Sequence, residues 1–225
     1  MKLNQVWDAL LQIAGDFFWA EDCDICHRRL RWNEFAVCGD CLEQSFAGTL
    51  EDKYGLPVFY LGEHKGTLSQ LIHELKYQER WRLGGVLAGK LAHELAKHPG
   101  SSSWDGVAAV PIHTFRKIKR GYNQASEIAR PLSQLLGIPY YGGILRRVRN
   151  TPSQVGKDRV HRLKNVKDAF CCTAPSRVYG KHIVLVDDVA TTGATLGECA
   201  QTLVDAGAAS VSCVVLSSAV LGSDT

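Results

Sequence analysis

The sequence contains no run of the ~18 consecutive apolar residues that a membrane-spanning helix requires. Its first residues carry Lys2 alone before an amphipathic stretch interrupted by Asp8 and Asp16, so no export signal is expected. A disulfide-stapled secreted scaffold is disfavoured with it, despite eight cysteines, and a cytoplasmic location is expected. Internal repeats and low-complexity tracts are absent as well. Acidic residues are nearly missing from residues 113–167, where Glu127 and Asp158 stand against thirteen Lys and Arg, a local balance of +11. The overall charge of +3 hides this block, because the rest of the chain carries −8. Such a block repels itself unless anions sit against it. Phosphate groups, on a small molecule or on nucleic acid, are the natural candidates.

What is present fits a globular protein: 45% apolar and 22% charged residues over 225 positions. That length holds one large or two small domains with a real core. Residues 4–19 place Val6, Trp7, Leu10, Leu11, Phe17 and Phe18 close to one helical stripe, as for a helix docked on its own protein. Residues 42–58, punctuated by Gly48, Gly55 and Pro57, read as a linker. Apolar spacing predicts helices over 67–77 and from Leu83 to Leu91, and another over 123–136, kinked at Pro131 and capped by Gly137. Strands are predicted over 107–112, 140–148, 166–173, 183–186 and 211–216, with a helix over 195–206. The alternation predicts parallel βαβ units in an α/β sheet, within a domain spanning 61–225 beside an N-terminal module of 1–60. Residues 149–165, basic and aperiodic, read as a long loop of the kind that serves as a lid. Gly84 to Gly89-Lys90 mimics the start of a P-loop, but Leu91 stands where a hydroxyl is needed and no strand precedes it.

Two motifs carry chemistry. Cys23-Asp24-Ile25-Cys26 and Cys38-Gly39-Asp40-Cys41 are paired C-x-x-C hooks, which bring four thiolates to one point as tetrahedral zinc requires. Buried or disulfide-paired cysteines are the alternative. Four cysteines fill the coordination sphere, so such a zinc is structural. Cys171, Cys172, Cys199 and Cys213 lie in apolar surroundings and read as core. The second motif is the apolar run Ile183-Val184-Leu185-Val186 followed by Asp187-Asp188, then by Val189-Ala190-Thr191-Thr192-Gly193-Ala194-Thr195. Two adjacent carboxylates cannot sit in a dry sheet, so they are expected beyond the strand's carboxyl end, where open α/β sheets bind ligands. The turn after them feeds a helix N-terminus, whose free N–H groups attract phosphate. Carboxylates beside a phosphate cradle suit a sugar phosphate; a capped helix with solvated turn aspartates is the plainer alternative.

This string resembles the phosphoribosyl pyrophosphate (PRPP) motif of type I phosphoribosyltransferases, and the whole chain is similar to the ComF family of competence and GntX-like proteins. Cys23, Cys26, Cys38 and Cys41 match its zinc module, and Leu75-Lys76-Tyr77 its "LKY" segment. Val110-Pro111, Arg116 and Arg120-Gly121-Tyr122-Asn123-Gln124-Ala125 match its "VP…R…RGFNQA" block. Thr151-Pro152-Ser153-Gln154, Gly156, Arg159, Arg162, Asn165 and Ala169-Phe170 match its basic loop, with Lys157, His161 and Asp168 departing from the usual apolar, acidic and glycine residues. The resemblance implies that Asp187 and Asp188 contact ribose hydroxyls. It implies that Ala190, Thr191, Thr192, Gly193, Ala194 and Thr195 cradle the 5′-phosphate. Pro111, Ile112 and His113 fall on the pyrophosphate loop, and residues 149–165 on the mobile lid. Arg120, Arg159 and Arg162 are the best candidates to stabilise the departing charge, and magnesium screens the PRPP phosphates. The implied reaction transfers phosphoribose to a nitrogen nucleophile with release of pyrophosphate, in a role tied to DNA uptake or the use of external DNA. The alternative is a protein without catalysis that senses PRPP or holds single-stranded DNA or a DNA-uptake partner. The basic block offers only Phe115, Tyr122, Tyr140 and Tyr141 as stacking aromatics.

Overall fold

The computed structural model describes residues 21–31, 34–53, 55–77, 80–98, 103–112, 118, 121–149 and 166–219. The stripe at 4–19 and nearly all of the 149–165 loop lie outside them. The chain divides into two compact units, Met1–Ala47 and Gly48–Thr225. The boundary falls upstream of the expected 60/61, because residues 49–63 belong to the second unit's sheet.

In the first unit, an antiparallel bridge between Asp22 and Arg29 closes the first cysteine hook, and one between Phe35 and Val37 precedes the second. Helix α1 (Gly39–Ser45) then begins directly after Cys38. Leu30, Val37 and Phe46 are its larger buried apolar residues among those described.

The second unit holds β1 (Thr49–Lys53), β2 (Leu56–Glu63), α2 (Gly66–Tyr77), α3 (Leu83–Leu95), β3 (Gly106–Ala109) and α4 (Gln124–Leu136). After these come β4 (Leu145–Arg147), β5 (Phe170–Cys172), β6 (His182–Ala190), α5 (Ala194–Asp205) and β7 (Ser210–Ser218). Five strands form one sheet in the order β1-β2-β7-β6-β3. All neighbours are parallel except the β1–β2 hairpin at one edge. The expected α/β class therefore holds. Val184 and Val186 on β6 are fully buried, as are Val107 on β3 and Val214 on β7. Helices pack on the sheet, α4 on β3 and β6, and α5 on β6 and β7, which is why these strands read as continuous apolar runs. Ile183, Leu185, Val211, Cys213 and Val215 share a core with Leu196, Cys199 and Leu203 of α5. Each such large side chain contributes ~1.5–3 kcal/mol by leaving water. Among the described residues, no helix is long and apolar enough to cross a membrane.

Three expectations need correction. The supposed linker over 42–58 contains α1 and the β1–β2 hairpin, with Lys53 paired to Leu56 across a two-residue turn in which Gly55 has φ 73°. Pro57 is tolerated because it pairs only with Asp52, ahead of the stretch where β2 joins β7 at Val58. The strands expected over 140–148 and 166–173 shrink to three residues each and pair with one another, antiparallel, outside the main sheet. Finally, β6 does not end at Val186. Pairing with β7 continues through Asp187↔Val215, Val189↔Ser217 and Ala190↔Ser218, so both aspartates lie among the strand's last four residues.

Helix α4 continues through Pro131, which has no N–H to offer the carbonyl of Glu127. Gly84 of α3 lies against that same carbonyl: a Cβ there would come within 2.7 Å of the Glu127 oxygen. The glycine that mimicked a P-loop is a close helix-packing residue. Gly84→Ala is expected to cost ~1–3 kcal/mol by overpacking and to lower Tm by several degrees. Gly85→Ala, where a Cβ meets nothing within 4 Å, is expected to leave Tm unchanged or raise it. Thermal denaturation of the two variants checks this pair.

Candidate functional site

The site is built at the carboxyl end of β6. The two aspartates diverge there. Asp188 reaches α2, where its Oδ2 lies 3.1 Å from Lys76 Nζ, with the two side chains only 13% and 23% exposed. Lys76 occupies the last turn of α2, where the helix dipole favours a cation. Asp187 accepts the backbone N–H of Asp188 at Oδ1, 2.8 Å away. Burial and the adjoining Asp188 charge push its carboxyl up to about 8, against the opposing pull of Lys76 and Arg147. Asp187 thus favours keeping its proton near neutral pH.

After Ala190, Thr191 is exposed and Thr192 half-buried. Gly193 takes the left-handed conformation with φ 71° and serves as N-cap of α5. Thr192 Oγ1 accepts the N–H of Ala194 at 3.5 Å, and Thr195 lies in the first turn. As a glycine, the N-cap itself offers no capping side chain.

Pro111 and Ile112 leave the sheet beside Asp187, because the Val110 N–H donates to the Val186 carbonyl at 2.9 Å. Asn123 holds this exit, its Nδ2 donating to the Val110 carbonyl at 3.0 Å. A cavity of about 210 Å³ opens here, its walls including Ile112, Asn123, Ser126, Arg146 and Arg147. Of the residues expected at the site, Asp187, Asp188, Ala190, Thr191, Thr192, Gly193, Ala194 and Thr195 thus form one continuous stretch, with Pro111 and Ile112 next to it. His113, Arg120, Arg159 and Arg162 lie outside the described residues.

Sequence reading passed over Lys76 and Arg147 as site residues. Arg147 sits on β4, stacked 5.4 Å over the Phe170 ring, and acts on Asp187. Lys76 was visible only as part of Leu75-Lys76-Tyr77. The Tyr122 hydroxyl donates to the Leu75 carbonyl at 2.6 Å, joining two segments 47 positions apart just where Lys76 begins. His64, at the end of β2, places Nδ1 2.9 Å from Ser217 Oγ. Burial and Lys76 lower its pKa, with Asp188 opposing. Asp168, found where the family has glycine, adopts φ 55°, a left-handed conformation that Asp tolerates better than most residues. Its N–H donates to Glu198 Oε1 at 2.6 Å.

In the first unit, the four Sγ atoms of Cys23, Cys26, Cys38 and Cys41 lie within 4.8 Å of one another. The Cys26–Cys38 separation of 3.8 Å matches the edge of a tetrahedron with metal–sulfur bonds of about 2.3 Å. Burial raises the Cys23 thiol, but N–H groups of Cys38, Cys26 and Ile25 outweigh it and bring the pKa down to about 6. All four are free thiols, and four sulfurs this close together fit a soft metal ion. Glu34, another residue the sequence did not single out, braces the two hooks. It receives Arg28 Nη2 at 2.9 and 3.1 Å, the Arg31 N–H at 2.8 Å and the Gly39 N–H at 2.9 Å. Burial opposes its charge, but these donors hold its carboxyl down at about 2.

Comparison with known proteins places the chain among relatives. The family described as "Phosphoribosyl transferase domain" matches residues 82–219. "DNA utilization protein YhgH" of Escherichia coli K12 is 30% identical over 213 residues, covering 84% of this chain and 93% of that protein. "Competence protein F" of Haemophilus influenzae is 34% identical over 176 residues, covering 74% and 71%. Adenine phosphoribosyltransferase of Leishmania tarentolae, a solved structure, superposes with a TM-score of 0.44 at 15% identity, covering 76% of this chain and 94% of that one.

Proposed function

Because the chain belongs to the ComF family and carries its phosphoribosyl transferase domain, we propose that it binds magnesium–PRPP and transfers the phosphoribosyl group to a nitrogen nucleophile. The observation that supports this most is the continuous stretch at the end of β6: paired aspartates, then a hydroxyl turn with a left-handed Gly193, then a helix N-terminus. Asp187 and Asp188 accept the ribose hydroxyls. The turn from Thr191 to Thr195 donates to the 5′-phosphate. Pyrophosphate sits against Pro111 and Ile112, on the side where Arg146 and Arg147 line the cavity. Positive charge there offsets the charge that develops on the leaving group, and the closing of a basic loop over it excludes water. Magnesium, bound with the pyrophosphate, supplies further charge neutralisation; the carboxylates of Asp187 and Asp188 are hard oxygen donors of the kind it prefers.

The relatives' printed names concern DNA use and competence, and the +11 excess over residues 113–167 suits phosphate in either form. We place the chain's role in the handling of external DNA, in the cytoplasm. Titration calorimetry of the protein with magnesium–PRPP and with ribose 5-phosphate, beside a single-stranded-DNA titration, tests this. Saturable PRPP binding that needs magnesium and exceeds ribose 5-phosphate by tenfold or more is the expected result. DNA binding without PRPP binding would establish the non-catalytic alternative instead.

A further inference from the structure

We propose that the acceptor enters on the β7–β2 side of the paired aspartates, carries a carboxylate read by Lys76, and gives up its proton to His64. This rests on the phosphoribosyl-transfer reading above. The sheet order β2-β7-β6-β3 sets the geometry. With pyrophosphate against the residues that follow β3, the ribose lies over the end of β6. Displacement at the anomeric carbon forms the new C–N bond on the face opposite the breaking C–O bond. The acceptor must then approach over β7 and β2.

That side is lined by side chains with no other assigned task. Lys76 has one carboxylate partner among the described residues, Asp188 at 3.1 Å, and an ammonium has three N–H donors. Its remaining donors suit an oxygen anion. His64 closes the end of β2, tied to β7 by its own N–H to the Ser218 carbonyl at 3.0 Å and by Nδ1 to Ser217 Oγ at 2.9 Å. Among the described residues its Nε2 meets only Ser69 Oγ, at 3.5 Å. Burial and then the Lys76 charge keep the imidazole below its ordinary pKa against the opposing pull of Asp188, hence neutral and able to take a proton. In the step, the nitrogen lone pair forms the C–N bond and the C–O electron pair leaves with pyrophosphate. The proton released from the acceptor nitrogen passes to His64.

The test uses the full chain and two pairs of probes that differ at the carboxylate: orotate with uracil, and anthranilate with aniline. Initial rates of pyrophosphate release and calorimetric PRPP affinity are measured for the wild type, Lys76→Met, Lys76→Arg and His64→Gln. At least one carboxylate member should exceed its partner by about tenfold or more in kcat/KM. Lys76→Met should abolish that preference through KM, with PRPP affinity falling less than the carboxylate acceptor's kcat/KM does, and Lys76→Arg should restore part of it. His64→Gln should lower kcat by about 100-fold and keep the preference. Equal rates within every pair, or no release with any probe by protein that binds PRPP, would overturn the inference and leave PRPP binding standing. So would a Lys76→Met variant whose PRPP affinity falls as far as its acceptor kcat/KM. A wild type that does not bind PRPP overturns the transfer reading, and this inference with it.

Discussion

Removing metal from the Cys23–Cys26–Cys38–Cys41 cluster is expected to unfold the segment from residue 21 to residue 47 and to leave the five-stranded sheet folded. The reason is size. Helix α1 has seven residues, and the larger apolar side chains buried in this unit among the described residues are Leu30, Val37 and Phe46. Each gives ~1.5–3 kcal/mol, whereas a structural zinc contributes ~10–16 kcal/mol of apparent folding free energy at pH 7. The Sγ geometry suits a metal and the lowered Cys23 pKa of about 6 readies that thiolate, whereas burial and the neighbouring thiols push Cys41 up. Elemental analysis of protein purified without added chelator should find one zinc per chain. A strong chelator should then expose the bonds after Arg28, Arg29 and Arg31 to trypsin, while far-UV dichroism keeps the signal of the larger unit. Cys38→Ser should lose the zinc outright. Protein with near-zero zinc and Cys23 or Cys41 in disulfides would sink the idea. The Glu34 brace adds a pH signature. Its folded pKa of about 2 lies below its ordinary 4.5, so its stabilisation is complete above 4.5 and is lost as pH falls from there through about 2. Thiolate protonation acts in the same direction, and metal release should therefore be steep on the acid side.

The parts of this molecule that were legible in the sequence are those whose signal is local. Asp187 to Thr195 could be read because strand, carboxylates, turn and helix start follow one another without a break. Helices α2, α3 and α4 declared themselves by apolar spacing within one turn or two. The β1–β2 hairpin did not, because Gly48, Gly55 and Pro57 look like breakers. What makes β2 a strand is β7, to which Val58 pairs at Cys213. The same limit hid Lys76. Nothing near it in the chain says that its partner is Asp188, and only the packing of α2 beside the carboxyl end of β6 brings the two within 3.1 Å. The end of β6 was misplaced for a physical reason. Two aspartates read as leaving the sheet, yet Asp187 can stay in it by keeping a proton, and Asp188 by pairing with Lys76. Glu34 lay between the cysteine hooks in plain view, but an isolated glutamate among charged neighbours carries no signal until the N–H groups of Arg31 and Gly39 turn toward it.

Asp188→Asn is expected to weaken magnesium–PRPP binding by about 10- to 150-fold. The substitution keeps the side chain's shape and removes its charge. A hydrogen bond from a ribose hydroxyl to a carboxylate is worth ~1.5–3 kcal/mol, and that range converts to the stated loss. The pH dependence separates this cause from a general disturbance. In the wild type, Asp187 is held up at about 8, first by burial and then by the Asp188 charge, so PRPP affinity should climb as pH rises toward 8 and Asp187 ionises. Without the Asp188 charge, Asp187 ionises more readily, and the climb should move to lower pH. The same shift bears on stability, with its sign fixed by linkage. Between 3.8 and about 8 the folded protein keeps a proton that the unfolded chain has lost, so rising pH through that window destabilises the fold. The Asp188→Asn substitution narrows the window and offsets part of what is lost with the Lys76 pair. That pair is partly solvated, with Lys76 23% exposed, so its own loss is small, and Tm near pH 7 should move by no more than a few degrees. Calorimetry with magnesium–PRPP at several pH values and a melting curve at each would measure all of this. Wild-type affinity in the variant would remove Asp188 from the site, and a variant that fails to fold would make the Lys76–Asp188 pair a structural tie between α2 and β6.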